Sequence, residues 1–171
     1  MILAIDPGNI ESGYVITGND LEVWAKGKVN NDELIHIIND CITEELENAN
    51  ADIHIAIEKI ASYGMPVGVE VFDTCIWIGR LVQELIHLGI KENDIKYIFR
   101  KDEKMNLCQS MKANDTTIKQ ALVDRFAPGQ KNYGKGTKKE PGWFYGFAKD
   151  IWAAYAVAVT YHDMYMKERV D

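Results

Sequence analysis

The first thirty residues consist of short apolar runs separated by turn signals. The run ILAID stops at a Pro-Gly pair, and the stretches SGYVIT and LEVWAKGKV are separated by Gly-Asn-Asp at residues 18–20. Short apolar runs that end in such turns are typical of β-strands. Because short connections join neighbouring strands, we expect an antiparallel meander of three strands here.

The spacing of apolar positions then changes from that of strands to that of helices. Between residues 31 and 50 the apolar side chains recur at helical spacing, at Leu34, Ile37, Ile38, Cys41, Ile42 and Leu46. Acidic residues occupy the opposite side, so this segment is predicted to be an amphipathic helix packed on a sheet. The run DIHIAIEKI is predicted as a fourth strand whose apolar part ends at Glu58, and a loop containing Gly64, Pro66 and Gly68 follows.

The second half of the chain predicts further helices and one more strand. Residues 69–88 are apolar on several sides, which indicates either a central core helix or an interface. KYIF is predicted as the fifth strand. A helix with its cap at Asn114 or Asp115 is expected to end at Phe126, and a last helix is expected over residues 147–166.

The predicted order of elements is β-β-β-α-β-α-β followed by helices. This order resembles the RNase H-like arrangement, an α/β fold in which helices flank a five-stranded mixed sheet whose first three strands are antiparallel. The 171 residues suffice for one sizeable core and are too few for two ordinary domains, so we expect a single domain over residues 1–171. A fold alone does not determine function.

Charge is distributed unevenly along the chain. The net charge of −7 argues against a nucleic-acid partner only if it is spread evenly. Residues 95–140 carry eleven basic and five acidic residues, so one part of the molecule suits a polyanion, although a solvated surface explains the same charges. No apolar stretch reaches the roughly 18 residues of a membrane span. We expect a soluble, cytoplasmic protein without a membrane partner.

Three acidic residues occupy positions that suit a metal site. Asp6 ends the first predicted strand, Glu58 ends the fourth, and Asp150 opens the last helix. If the two strands are central neighbours, their carboxylates project at one edge of the sheet. Carboxylate oxygens suit Mg²⁺, and two such ions about 4 Å apart activate water and stabilise the leaving oxygen of a phosphodiester. An isolated Asp at a strand end is more often a turn or cap residue, so the joint placement carries the hypothesis.

Three separated motifs resemble those of the RuvC family of Holliday-junction resolvases. ILAIDPGNIESGY resembles the first motif, AIEKI the second, and DIWAAYAVAVTYH the C-terminal motif. The segments ANDTTIKQALVDRF and GTKKEPGWFYG look most like the phage and prophage branch. The resemblance implies an RNase H-like nuclease that resolves branched DNA as a homodimer. It also implies that Asp6, Glu58 and Asp150 are catalytic metal ligands for two Mg²⁺ ions, with Mn²⁺ as a possible substitute.

The chain departs from the pattern of the cellular family members at two places. They usually carry a second acid three residues after the first on the last helix, where this chain has Ala153. Positions i and i+3 share a helix face, so the second ion has fewer ligands here, and Asp163 lies too far along the helix to substitute. The family also places a stacking aromatic after the second acid. Here Ala61 is nearer that position, and Tyr63 is the nearest ring, which makes Tyr63 the hypothetical wedge.

Basic residues precede Asp150 along the chain. Lys135, Lys138 and Lys139 lie in a Gly-containing loop at residues 128–142, and Lys112 and Lys119 are expected on the preceding helical segment. We interpret these lysines as contacts to the DNA backbone, although each one alone is compatible with a solvated surface. The apolar helix over 69–88 is the expected surface for self-association, with plain core burial as the alternative.

Two other functions remain open on sequence grounds. Sugar-kinase and actin-like ATPases also place an Asp and a Gly after a first strand, but they need two lobes, and this chain has residues for one. A branched-DNA binding protein that has lost catalysis is the second alternative, motivated by Ala153. ATP binding would support the first alternative, and failure to nick a junction in Mg²⁺ or Mn²⁺ would support the second.

Overall fold

Five strands form one mixed sheet in a computed structural model that describes residues 1–49, 51–61, 64 and 66–167. The strands are β1 (Ile2–Asp6), β2 (Glu11–Thr17), β3 (Val23–Asn30), β4 (His54–Lys59) and β5 (Ile95–Phe99). They lie in the order β3-β2-β1-β4-β5. The β1/β2 and β2/β3 pairs are antiparallel, and the β1/β4 and β4/β5 pairs are parallel. The predicted meander and five-stranded mixed sheet are confirmed.

Five α-helices connect or follow these strands. They are α1 (Asn31–Leu46), α2 (Val69–His87), α3 (Arg100–Cys108), α4 (Asp115–Phe126) and α5 (Lys149–Tyr161), and a π-helical turn continues α5 over His162–Met166. The prediction for α4 is confirmed at its cap, where the Asn114 side chain accepts a hydrogen bond from the Thr117 amide at 3.0 Å. No helix in the described part of the chain is long and apolar enough to cross a bilayer.

The structure differs from the sequence prediction in the bounds of two helices and in one additional helix. The helix expected over residues 31–50 ends at Leu46, because the following segment forms a turn. The helix expected over 147–166 begins at Lys149 and changes to π-helix in its last turn. Helix α3 was not predicted, because the segment RKDEKMNLC is polar and shows no apolar stripe that would indicate helix burial.

Helices cover both faces of the sheet, and the alternation of side chains along the strands separates two cores. In β1, Leu3 and Ile5 belong to the core that contains α1 and α2 residues, whereas Ile2 and Ala4 belong to the core that contains α4 and α5 residues. Since successive strand residues point to opposite faces, Asp6 projects on the α5 side of the sheet. This alternation places the carboxylate of Asp6 on the face of the sheet that α5 covers.

Helix α5 is the central helix of its layer. From Ile151 to Tyr161 every side chain except that of Ala153 is buried, and the helix packs on β1 and β2. Four alanines between positions 153 and 158 allow the helix to approach the sheet closely. The first turn of α5 is therefore held against the edge of the sheet where β1 and β4 end.

Candidate active site

Asp6 and Glu58 lie side by side at the carboxyl ends of two neighbouring parallel strands. Ile5 of β1 pairs with Ile57 of β4, so the next residue of each strand lies at the same level of the sheet. The two carboxyl groups are close enough for each to affect the pKa of the other. This contact is the first part of the predicted site, and it follows from strand order and register.

Burial makes ionisation of this carboxyl pair costly. It raises the pKa of Asp6 from 3.8 to about 8, with the charge of Glu58 as a further cause. It also raises the pKa of Glu58 from 4.5 to about 7. Two adjacent buried carboxyl groups retain a proton between them unless a cation compensates their charge. The pair is therefore suited to binding a positive ion and poorly suited to standing ionised alone.

Asp150 reaches the same edge of the sheet from the first turn of α5. A glycine permits this approach, because a Cβ at Gly13 would lie 2.5 Å from the backbone carbonyl oxygen of Asp150. Gly13 is the cross-strand partner of both Asp6 and Lys28. The Gly-Tyr pair of the first motif thus has a structural reason here, since its glycine leaves room for the helix that carries the third acid.

The carboxylate of Asp150 is engaged by a lysine from the sheet. Lys28 Nζ lies 2.8 Å from Asp150 Oδ2 and 3.3 Å from Glu11 Oε2. These contacts raise the pKa of Lys28, with the hydrogen bond to Asp150 as the largest cause. Sequence reasoning did not identify Lys28, because its strand position gives no sign of a partner on a helix more than a hundred residues later.

The three predicted acids line a single cavity of about 730 Å³. As they stand, no three His, Cys, Asp or Glu side chains among the described residues are grouped closely enough to hold a metal ion. The donor types nevertheless fit Mg²⁺, which prefers carboxylate oxygens. Binding of an ion at this site would require ionisation of Asp6 and Glu58, whose pKa values are raised, and exchange of Lys28 for the ion at Asp150.

A fourth acid, Glu103 of α3, is fully buried next to this cavity. Arg100 Nη1 donates a hydrogen bond of 2.5 Å to Glu103 Oε2. Burial raises the pKa of Glu103 to about 7, and the charge of Asp6 acts in the same direction. Sequence reasoning missed both residues of this ion pair. The available signal was the i,i+3 spacing of Arg and Glu directly after a strand, which becomes informative once α3 is known to be a helix.

The position of Ala153 agrees with the face expected from sequence. Ala153 lies three residues after Asp150 and lines the same cavity, so a carboxylate at this position would enter it. Asp163 does not replace it. Burial alone would raise the pKa of Asp163, but hydrogen bonds from Arg125 and Asn106 outweigh burial and hold the pKa at about 2.

Two solved structures share this fold over nearly the whole chain. One is described as "T. thermophilus RuvC in complex with Holliday junction substrate", with a TM-score of 0.60, 16% identity, and coverage of 95% of this chain and 94% of that chain. The other, "Thermus thermophilus RuvC structure", has a TM-score of 0.59, 16% identity, and 95% coverage of both chains. The fold is RNase H-like. No protein-family model and no curated protein matches the sequence.

The predicted basic residues fall into two groups. Lys119 and Lys135 line the cavity, and the Lys119 ammonium lies 3.5 Å from the ring centroid of Tyr133. Burial, and then the charge of Lys135, lower the pKa of Lys119. Lys138 and Lys139 are exposed on the loop that precedes α5 and are not among the cavity-lining residues.

The two remaining predicted DNA contacts are Lys112 and Tyr63. Lys112 was expected on a helical segment, but it is exposed in the turn between α3 and α4 and does not line the cavity. The prediction of a helix at Lys112 was wrong because the chain turns before the cap at Asn114. The hypothetical wedge Tyr63 lies outside the described residues, and its role stays a prediction.

Proposed function

We propose that this protein is a divalent-metal-dependent endonuclease that nicks branched DNA, as a crossover junction endodeoxyribonuclease does. The observation that carries the proposal is the partly buried, neighbouring pair of Asp6 and Glu58 in a cavity that Arg100, Lys119 and Lys135 also line. A phosphodiester carries a negative charge, and its hydrolysis needs compensation of additional charge as the bond breaks. The cavity combines acids for metal ions with cations for phosphate.

Each acid has a distinct part in this proposal. Asp6 and Glu58 would hold an ion between them, and Asp150 would complete the ligand set after it leaves Lys28. Mg²⁺, or Mn²⁺ in its place, would supply activation of water and a counter-charge for the leaving oxygen, and hydrolysis would leave 5′-phosphate and 3′-hydroxyl ends. Because Ala153 provides no oxygen, a second ion would be held by fewer protein ligands than the first.

The lysines would position the DNA backbone in this proposal. Lys119 lies within reach of two aromatic rings, since its ammonium is 4.9 Å from the centroid of Trp152 as well as close to Tyr133. Such ring contacts restrict a flexible side chain and keep it directed along the cavity wall. Lys138 and Lys139 would contact phosphates outside the cavity, because they are exposed on a loop next to it.

Branched DNA is the substrate that the comparisons favour. One of the solved structures that share this fold contains a Holliday junction substrate. The three motifs that resemble the resolvase family place their acids at the positions that line the cavity here. Membership of the phage branch of that family stays a prediction from sequence.

We also propose that the protein acts as a homodimer through α2. Its inner face, with Trp77, Leu81 and Leu85, is buried in the core, so the helix is in part a core helix. Its outer face leaves Phe72 60% and Ile76 64% exposed, four residues apart on one helix. A four-way junction has two-fold symmetry, so a pair of symmetric nicks calls for two sites related by a similar axis.

A nicking assay tests the proposed activity directly. The protein is incubated with a synthetic four-way junction, and with a linear duplex of matched sequence, in Mg²⁺, in Mn²⁺ or in EDTA. We expect nicks in the junction that depend on the metal and carry 5′-phosphate ends. Asp6→Asn should abolish nicking and retain binding of the junction. Full activity of this variant, or equal cutting of the linear duplex, would contradict the proposal.

A second candidate is a branched-DNA binding protein with weak or no catalysis. Two observations favour it, namely Ala153 in the cavity wall and the engagement of Asp150 by Lys28. The same assay separates the two functions, because this candidate binds the junction tightly and leaves it intact in both metals.

A further inference from the structure

We propose that Arg100 binds a DNA phosphate at the carboxylate cavity, and that Asp115 occupies the place of this phosphate in the free protein. The inference rests on the proposed function and concerns a residue that the sequence motifs do not include. It assigns three roles. Glu103 anchors the arginine from the protein interior, Arg100 contacts the backbone of the substrate, and Asp115 is displaced when DNA arrives.

The inner side of Arg100 is held firmly. Its Nη1 contacts Glu103, whose side chain is completely buried and lies on the same helix one turn away. A buried carboxylate that has lost its hydration gains most from a charge-assisted hydrogen bond with good geometry. The second oxygen of this group, Glu103 Oε1, has no hydrogen-bond partner among the described residues. The anchor is therefore dedicated to Arg100.

The outer side of Arg100 has an exposed partner. Its Nη2 contacts the carboxylate of Asp115 in the first turn of α4, and the Asp115 side chain is 92% exposed. An ion pair with a solvent-exposed acid contributes little net stability, since water solvates both charges well when they separate. This contact is consequently easy to exchange, whereas the contact to the buried acid is not.

The location of Arg100 directs it to the substrate. Arg100 and Asp115 both line the cavity that contains Asp6 and Glu58, and the Arg100 side chain remains 26% exposed. The N–H groups of a guanidinium donate charge-assisted hydrogen bonds to carboxylate and to phosphate oxygens alike, so Nη2 of Arg100 can bind either. A phosphate that enters the cavity can replace the Asp115 carboxylate without movement of the anchored side of the arginine.

A phosphate that enters this cavity needs a cation, such as Arg100, to offset the acids around it. The acids that line the cavity repel a phosphate, and the anchored arginine lies among them. Burial lowers the pKa of Arg100, but the charge of Glu103 and then those of Glu58 and Asp115 outweigh this effect and raise the pKa. Removal of Asp115 would leave this positive charge available to DNA. Under the competing interpretation, Arg100 only links α3 to α4, and removal of Asp115 would then have no specific effect on DNA binding.

A binding experiment separates these interpretations. The affinity for a fluorescently labelled synthetic four-way junction is measured by anisotropy in EDTA, so that no cleavage occurs. We expect Asp115→Asn to tighten binding several-fold, because the competing carboxylate is gone. The matched control is Asp124→Asn, which removes the same charge from an exposed position on the same helix, where Asp124 accepts a hydrogen bond from Gln120. Equal effects of the two substitutions would overturn the proposal.

A double-mutant cycle then tests whether the gain depends on Arg100. Arg100→Gln alone leaves Glu103 buried without its partner, so the arginine is removed together with its anchor in the double variant R100Q/E103Q. Replacing both members of a buried pair is far less destabilising than replacing one, and thermal melting checks the fold. We expect this variant to bind the junction roughly tenfold more weakly, as for loss of a charge-assisted contact. Adding Asp115→Asn to it should then give no gain beyond that of Asp124→Asn, and a larger gain would refute the role of Arg100.

The outcome is separable from that of the proposed function. If the protein nicks junctions in Mg²⁺ but Asp115→Asn behaves like Asp124→Asn, the nuclease proposal stands and the assignment of Arg100 fails. If no metal supports nicking and the cycle shows the expected coupling, Arg100 binds phosphate in a protein without catalysis.

Discussion

Replacement of Asp6 by Asn should change how the stability of the metal-free protein depends on pH. Burial raises the pKa of Asp6 from 3.8 to about 8 in the folded state. Between these two values the unfolded chain releases a proton that the folded protein retains. The folded state then binds more protons than the unfolded state, so the free energy of unfolding decreases as pH rises through this window. Below the lower value both states are protonated and no penalty exists.

The magnitude follows from the width of the window. One carboxyl group that titrates only in the unfolded state lowers the free energy of unfolding by about 1.4 kcal/mol per pH unit. For Asp6 alone this amounts to about 4 kcal/mol between pH 4 and pH 7, as an upper limit. Asn is uncharged at every pH and similar in shape to a protonated Asp. Glu58 and Glu103, whose pKa values are each raised to about 7, retain part of the slope in the variant.

Urea denaturation in EDTA at pH 5, 6, 7 and 8 measures this difference. We expect the stability of Asp6→Asn relative to that of the natural protein to increase from pH 5 to pH 8, by a few kcal/mol over this range. Asp124→Asn serves as the control, since it removes an exposed acid from α4. Parallel pH profiles for the natural protein and Asp6→Asn would refute the reasoning. Mg²⁺ should stabilise the natural protein increasingly as pH rises, because it competes with protons for the carboxylates.

Three more substitutions test other parts of the structure. Gly13→Ala should lower the free energy of unfolding by about 1–3 kcal/mol in urea denaturation and reduce nicking, because the added Cβ collides with the backbone of Asp150. Unchanged stability would show that β2 and α5 do not approach so closely. Phe72→Asp should convert a dimer into a monomer in sedimentation at low micromolar concentration, and a natural protein that is already monomeric contradicts the proposed interface. Neutralising Lys138 and Lys139 should weaken junction binding. It should also reduce the slope of log affinity against log salt concentration by up to about 0.9 per lost phosphate contact, and an unchanged slope excludes such contacts.

The strands of the sheet, and two acids of the candidate site at strand ends, were predictable from the local pattern of apolar and polar residues. Apolar runs that end in turns indicate strands, and an acid at the end of such a run is visible as soon as the run is recognised. Asp6 and Glu58 belong to this class. The prediction that their strands are central neighbours needed the order of elements as well, and the parallel pairing of β1 with β4 confirms it.

The residues that the sequence did not indicate lie where polar side chains are buried or paired over long distances. Glu103 lies in a strongly polar segment, and no local pattern predicts burial of a glutamate there. Its burial results from the packing of α3 between β5, α4 and α5. Likewise, the engagement of Asp150 by Lys28 depends on the antiparallel register of β3 with β2 and on the approach of α5 at Gly13.

The sequence by itself determined the order of the strands and of the helices other than α3, the acids at strand ends, and the gap in the acidic pattern at Ala153. These are local properties, because periodicity and turn signals depend on residues within a few positions of one another. The tertiary structure alone decided that Arg100 and Glu103 lie beside the carboxylate cavity and that Lys28 holds Asp150. Such contacts join residues that are distant along the chain or buried against expectation, so they exist only after strand register and helix packing are established.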